Sequence, residues 1–462
     1  MEQHAKRVAK IAEDVRKAAK EQRSIKVNHG ASNSTRIPDF ADRYVLEMRD
    51  FSHIVEINKK ELYVLVEPSI QLDELVRATL HHNLVPPVVM EFPGISIGGG
   101  IQGGSAESSS FKYGGFHETA LSYEMVLGDG SVVMASRTMH ADLFWGTACS
   151  YGSLGILTLV KLRLIPAEPF IKLRYLRTGD YDNALHVLND AVHAKQVDFI
   201  DGILFSKDSG VIMSGAFEAS AKGPVSRFMG KNDEWFYLHA KDISKKYEQY
   251  EEYIPLEDYL FRYDRGGFWV GRIAFKYAKI PFMKTTRRLL DTIMHTRRLY
   301  EFIHKTDLSQ RFFVQDIFMP ENKVSMFLPY VEEHINIWPL WLLPMRNQYE
   351  KQDIFGLSFP DARYVINVGI WGDPKTSSFK AFKSLNRQVE QKLLTLPARK
   401  TLYAHSYYPE DEFWQIYDQK QYNTLRRKYH AVGVFDDIYE KVTVKTQYHK
   451  PLYRAIWRHF FQ

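Results

Sequence analysis

Thirteen residues, Pro93 to Ser105, contain six glycines. Glycine loses more backbone entropy on folding than any other residue, so this run makes a poor ordinary helix or strand. It predicts a loop whose backbone something else approaches closely. Two shorter stretches share its character. Asn28-His29-Gly30-Ala31-Ser32-Asn33-Ser34-Thr35 reads as a polar turn, and Tyr151-Gly152-Ser153-Leu154-Gly155 as a glycine turn before a largely apolar strand. Small side chains and exposed N–H groups can nest a phosphate without a lysine. One such loop is an ordinary turn. Three in the first 155 residues predict a wrapping site for a large, flat cofactor that carries a diphosphate.

The string Gly98-x-Gly100-x-x-Gly103 formally meets the dinucleotide fingerprint. That motif needs a strand before it and a helix opening at its end. Here Pro93 precedes it, and Ser105-Ala106-Glu107-Ser108-Ser109-Ser110 is a poor helix start. A doubly wound nucleotide domain is therefore rejected.

Periodicity predicts an amphipathic helix over 5–22, with Val8, Ile11, Val15 and Ala18 on one face. Short strands follow at Ser24–Val27, near Val45, at Ile54–Ile57 and at Leu62–Val66, then a helix from Leu72 to His82. Tyr123–Leu127 and Val132–Ser136 read as a hairpin across Gly128-Asp129-Gly130. A short helix Leu143–Ala148 and a strand Ile156–Leu164 complete this region, which Pro166 stops. Beyond it glycine thins out and aromatic and basic residues rise, which places a domain boundary near residue 170. The C-terminal region mixes strands (Phe199–Phe205, Tyr364–Gly369) with helices (Lys284–His295, Phe379–Leu393).

Composition removes several classes. Cys149 is the single cysteine, so there is no disulfide framework and no Cys-rich zinc site. No cluster with metal-ligand spacing is visible, and no metal is expected. A net charge of +6 on 462 residues does not point to nucleic acid. The most apolar window, Ile335–Met345, is short and carries Pro339 and Pro344, so no membrane span and no signal peptide are expected. The chain reads as cytoplasmic or peripherally membrane-associated. The tail Lys450–Gln462 puts Tyr453, Ile456, Trp457 and Phe460 on one helical face, with Lys450, Arg454 and Arg458 off it. Such a helix docks on its own domain or lies on an anionic bilayer. Oligomeric state is not legible.

Residues 5–170 resemble the flavin-binding domain of the vanillyl-alcohol-oxidase (PCMH-type) superfamily, and within it the Δ24-sterol reductase family. The motifs that carry the resemblance are Val66-Glu67-Pro68, Gly103-Gly104-Ser105-Ala106-Glu107-Ser108-Ser109-Ser110-Phe111-Lys112-Tyr113-Gly114, Tyr123-Glu124-Met125-Val126-Leu127-Gly128-Asp129-Gly130-Ser131 and Gly152-Ser153-Leu154-Gly155-Ile156. It continues through Glu252-Tyr253-Ile254-Pro255-Leu256, Trp338-Pro339-Leu340-Trp341-Leu342-Leu343-Pro344 and Tyr403-Ala404-His405-Ser406-Tyr407-Tyr408. The resemblance implies an α+β fold, with a two-subdomain PCMH-type FAD-binding domain over 1–170. A mixed α/β substrate or cap domain would span 171–462, its C-terminal segment returning to the flavin site.

Carried over residue by residue, Gly30, Ala31, Ser32, Asn33 and Ser34, with Pro93, Gly94, Ser96, Ile97 and Gly98, would hold the FAD pyrophosphate. Gly103, Gly104, Ser105, Ser109 and Ser110 would run beside it. Gly152, Ser153, Gly155 and Ile156 would pass the adenine or ribose. Superfamily members with covalent flavin carry a histidine in the first loop. Ser32 takes that position here, which implies non-covalent FAD.

The implied reaction is reduction of an isolated alkene in a sterol- or terpenoid-like lipid, fed by NADPH. It calls for a proton donor in a dry, aromatic-lined pocket. Candidates are Glu107, Tyr403, His405 and Tyr407, the last three on one face if their segment is a strand. Glu107 reads equally as a structural carboxylate, and the other three as packing. Arg262 and Arg265 read as contacts for an NADPH phosphate or as ion-pair partners of Glu257 or Asp258. The Trp338–Pro344 run reads as a pocket floor or as core. The alternative function is an oxidase or dehydrogenase of an alcohol or natural-product intermediate, with oxygen as acceptor. A silent flavoprotein is a third reading.

Overall fold

Two antiparallel sheets organise the chain in this computed structural model, which describes residues 1–30, 33–376 and 378–448. The first has five strands, in the order Ile54–Asn58, Tyr63–Val66, Ile156–Arg163, Ala120–Val126 and Val132–Ser136. The expected hairpin is present: Val126 pairs with Val132, and Gly130 takes the left-handed turn conformation at φ 78°. The strand Ile25–Asn28 lies apart, parallel to Tyr44–Glu47. It feeds directly into the polar turn at His29.

The second sheet has eight strands: Gln249–Pro255, Phe170–Thr178, Ser209–Glu218, Phe199–Ser206, Leu340–Arg346, Tyr364–Gly372, Phe313–Pro320 and Arg399–Lys400. Side chains alternate along its strands, so the two faces of its central strands differ. Ile317, Met319, Leu340, Leu342, Ile366 and Val368 belong to a core shared with helices Tyr181–His193, Glu321–Tyr330 and Phe379–Leu394. The opposite face carries Asp316, Phe318, Trp341 and Asn367, and it looks toward the glycine-rich segment. The apolar run Leu340–Pro344 therefore serves both readings, with Leu340 and Leu342 in core and Trp341 on the cleft side.

The N-terminal helix Glu2–Lys20 packs Val8, Ile11, Val15 and Ala18 against Ile25, Leu46, Val126 and Ile156. A buried polar clamp fixes its start. His4 donates from Nδ1 to Glu67 at 2.7 Å and from Nε2 to Glu124 at 2.9 Å. Arg7 and His53 also hold the Glu67 carboxylate. The bond to Glu124, and then that to Glu67, holds the His4 imidazole up at about 9. Burial pushes Glu67 up, but its three cationic or imidazole partners outweigh this and hold it down to about 2.

The helix Lys284–His295 is shorter than its apolar pattern suggests. It ends at Leu289 and gives way to a single 3₁₀ turn, Asp291–Ile293. Asp291 is turned inward there to hold Arg265. The tail face of Tyr453, Ile456, Trp457 and Phe460 lies outside the described residues. Among the described residues no helix is long and apolar enough to cross a membrane.

The clamp gives the fold a pH dependence. His4 stabilises fully below its unfolded pKa of 6.5, and its contribution fades as pH rises through about 9. Glu67 contributes above its unfolded 4.5, and its share is lost as pH falls through about 2. His4→Ala is expected to destabilise by about 2 kcal/mol more near pH 6 than near pH 10, on top of a pH-independent packing loss. Paired denaturant melts of the two proteins across that range check it; a gap that does not narrow between pH 6 and pH 10 contradicts it.

Candidate active site

A cleft of about 340 Å³ opens between the glycine-rich segments and the exposed face of the eight-stranded sheet. Asn33, Ser34, Gly94, Ser96, Gly98, Gly103, Gly104, Ser105, Gly152, Gly155 and Ile156 line it, so residues from all three sequence loops meet at one site. Gly30, Pro93, Ile97, Ser109, Ser110 and Ser153 are absent from its wall. Ile97, Ser109, Ser110 and Ser153 point into protein instead, and the Ser110 hydroxyl accepts from the Glu107 N–H. Ala31 and Ser32 lie outside the described residues.

The central glycine run is not a loop. Ile97–Gly103 forms two turns of helix, with the Ser96 hydroxyl accepting from the Gly99 N–H as an N-cap. Close packing decides this against helix propensity. A Cβ at Gly98 would sit 2.8 Å from Pro68 Cβ and 3.2 Å from its carbonyl oxygen. One at Gly100 would meet Met90 at 2.6 Å and Phe116 at 2.9 Å. The opening N–H groups are already used, Ile97 on Ile70, Gly98 on Pro68 and Gly99 on Ser96. The expected nest of free donors is thus largely occupied by the protein itself. Gly103 differs: a Cβ there would project into open space on the cleft wall.

Cations take over the anion-binding task. Lys26 and Lys441 both line the cleft, and neither forms an ion pair among the described residues. Lys441 donates to the carbonyls of Tyr151 at 3.0 Å and Gly152 at 2.8 Å, and burial lowers it to about 8. Burial lowers Lys26 as well. Two desolvated ammonium groups with no carboxylate in direct contact among the described residues gain stability from a bound anion. Among the described residues, His29 Nδ1 and Gln102 Nε2 on the same wall have no hydrogen-bond partner. These groups, with the open space at Gly103, fit an extended diphosphate cofactor such as FAD.

A second polar group faces the cleft from the sheet. The Tyr403 hydroxyl donates to Asp316, and Asn367 Nδ2 donates to the other Asp316 oxygen at 2.8 Å. Gly369 stands opposite both Asp316 and Trp341 in register, where a Cβ would lie 2.9 Å from Asp316 Oδ1. Burial raises the Asp316 carboxyl to about 6 despite these donors. Glu91 lines the same cleft, and burial, reinforced by the charges of Glu107 and Asp316, raises it to about 8. Phe92, Ile95, Leu157, Tyr300, Phe318 and Trp341 add apolar and aromatic wall to the same cleft.

Other sequence candidates lie elsewhere. Glu107 is behind the wall, where Arg262 Nη2 reaches its Oε1 at 3.0 Å and Asp201 at 3.0 Å. Arg262 is itself buried, and Arg265 is buried against Asp291, Phe228 and Asp233, so neither is open to an external phosphate. The segment 401–409 is not a strand, so Tyr403, His405 and Tyr407 do not share a face. His405 and Tyr407 pack against Phe382 away from the cleft, and burial drives the His405 imidazole well below its usual range. Tyr403 alone of the three lines the cleft. The fold also assembles a group that sequence spacing does not show. His117, Cys149 and Asp353 bring ligand-type atoms within 4.8 Å of one another beneath Gly104, with His117 paired to Asp353 at 3.3 Å.

Asp316, Glu91, Lys26 and Lys441 are not legible as site residues in the sequence. They come from four separate segments, and no local pattern marks them. The pairing of Gly369 with a strand acid is the one available signal.

Comparison with known proteins agrees with this geometry. A family model described as FAD binding domain matches residues 4–136. The human Delta(24)-sterol reductase is 29% identical over 428 residues, which cover 88% of this chain and 80% of that protein. The Arabidopsis thaliana Delta(24)-sterol reductase is 29% identical over 447 residues, covering 87% and 77%. A Caenorhabditis elegans Delta(24)-sterol reductase homolog is 26% identical over 421 residues, covering 84% and 77%. The chain is an FAD-dependent oxidoreductase with an FAD-binding domain, similar over most of its length to Delta(24)-sterol reductases.

Proposed function

We propose that the protein reduces an isolated C=C bond of a sterol-like lipid at non-covalently bound FAD, with NADPH as electron donor. The observation that carries this reading is the cleft's polarity. Its wall carries two cations that form no ion pair among the described residues, and also carboxyl groups raised by burial beside aromatic side chains. The cations suit a diphosphate, and the carboxyl groups suit protonation of a greasy substrate. Bound reduced flavin would supply the hydride. Reduction of an alkene consumes two electrons and two protons, so an external two-electron donor must reload the cofactor.

Within this reading Lys26, Lys441, Asn33, Ser34 and the residues of the glycine segments hold FAD. Residues 1–170 supply most of the cofactor wall and residues 171–462 the roof, with Thr401, Tyr403 and Lys441 returning to the cleft. Tyr403 fixes Asp316 and presents its phenol oxygen to the substrate. Phe318 and Trp341 exclude water and hold the hydrocarbon. The relatives' names give the sterol; the apolar wall gives this chain a surface to match.

The purified protein is expected to be yellow, to release its flavin into the supernatant on acid precipitation, and to bleach with NADPH in the absence of air. Bleaching by an alcohol alone, or flavin retained in the precipitate, contradicts the reading. Gly103→Val offers a structural check. A Cβ there meets no atom of the described residues within 4 Å, so the FAD-free protein is expected to keep its melting temperature while FAD affinity drops by about tenfold or more. Calorimetry of the FAD-free form and flavin titration measure both.

A further inference from the structure

We propose that Glu91 is the group that delivers the proton when the C=C bond is reduced. This rests on the proposed alkene reduction and names the acid it requires.

The cleft wall holds two carboxyl side chains, Glu91 and Asp316. Asp316 is committed, because Asn367 and Tyr403 donate to its two oxygens. Those donors stabilise its charged form. The Tyr403 proton is committed to the same carboxylate. Glu91 is half-buried on the wall, and among the described residues no other side chain hydrogen-bonds or pairs with it. Its own backbone N–H is its one polar contact. A carboxyl with no donor aimed at it, in an apolar pocket, is held neutral and keeps a free proton. The charged groups that act on it are Glu107 and Asp316, which favour the neutral acid, and the guanidinium of Arg262, which opposes it. Tyr300 and Tyr403 also face it, and burial keeps both phenols protonated. Burial outweighs the rest and sets Glu91 at about 8.

An isolated alkene has no carbonyl to polarise it, so hydride cannot arrive before a proton does. The π pair of the alkene forms a C–H bond with the Glu91 proton at one carbon. The other carbon takes the hydride supplied by the reduced cofactor. The substrate gains two hydrogens, the flavin ends oxidised by two electrons, and Glu91 ends as a carboxylate. Water at the mouth of the cleft returns its proton. Because the neutral acid is the working form, the step slows as pH rises through about 8.

The test uses the holoenzyme, reduced without air and mixed with a Delta(24)-unsaturated sterol, while flavin colour is followed. In the wild type the rate of colour return falls above about pH 8 and shows a solvent deuterium effect. Glu91→Gln is expected to slow it by about 100-fold or more with unchanged flavin content, and to lose the pH dependence. Glu91→Asp should recover some of the rate with the pH dependence shifted down. If Glu91→Gln stays within about threefold of wild type with the same pH profile, the assignment is overturned. If wild-type colour never returns with the sterol, the function reading fails instead. Glu91 is then judged on the FAD-free protein by infrared difference spectra. A neutral-carboxyl band present at pH 7, titrating near 8 and missing in Glu91→Gln, upholds its chemistry; its absence from the wild type overturns it.

Discussion

One guanidinium holds the cleft together. Arg262, from the segment after the strand Gln249–Pro255, reaches Glu107 beside the glycine helix and Asp201 in the eight-stranded sheet, each at 3.0 Å. Tyr263 donates to the same Asp201 oxygen at 2.6 Å and Trp341 Nε1 at 3.1 Å, while the Tyr259 ring lies 4.1 Å from the guanidinium carbon. A buried triad of this kind contributes little net stability relative to a hydrophobic replacement, yet removing one member costs about 3–5 kcal/mol. Its effect here is geometric. It locks the floor segment Ala106–Ser108 against the roof and fixes Trp341, which is a cleft wall. Two members of the triad also act on Glu91, Glu107 favouring its neutral form and Arg262 opposing it.

The charges along the cleft fall into two sets. Lys441 is acted on by Asp436, Lys26, Arg426 and Asp437. Glu91 is acted on by Glu107, Asp316 and Arg262. The sets share no member. The lysines that favour a bound diphosphate are therefore not among the charges that act on Glu91, and they do not draw off its proton. That separation lets one site combine tight anion binding with a neutral proton donor near neutral pH.

Local order is readable wherever it follows from local pattern. The amphipathic N-terminal helix, the Asp-Gly hairpin and the apolar strand after Gly155 all follow from periodicity and turn chemistry, and each is present within a few residues. The glycine run misleads because propensity counts entropy alone. What decides Ile97–Gly103 is Pro68, Met90 and Phe116 pressing on the positions of missing side chains. Those neighbours are distant in sequence, so a helix made possible by glycine looks like a loop. The Tyr403, His405 and Tyr407 triplet fails for a related reason. Strand alternation does not hold where Tyr403 is instead tied by Ser34, whose hydroxyl donates to its carbonyl at 2.8 Å.

The site is legible in the sequence as a cofactor site but not as a reaction centre. Glycine and serine loops advertise backbone that a ligand approaches, and that signal is local. Acid chemistry depends on desolvation and on which oxygens already have donors, and both are set by contacts across the fold. Glu107 looks the better acid from its motif, yet the Ser108 N–H and hydroxyl and Arg262 all point at its carboxylate. Burial raises it, but every one of those donors favours its charge. Glu91 carries no motif and has no side-chain donor, and the lack of a partner is what leaves its proton free to move.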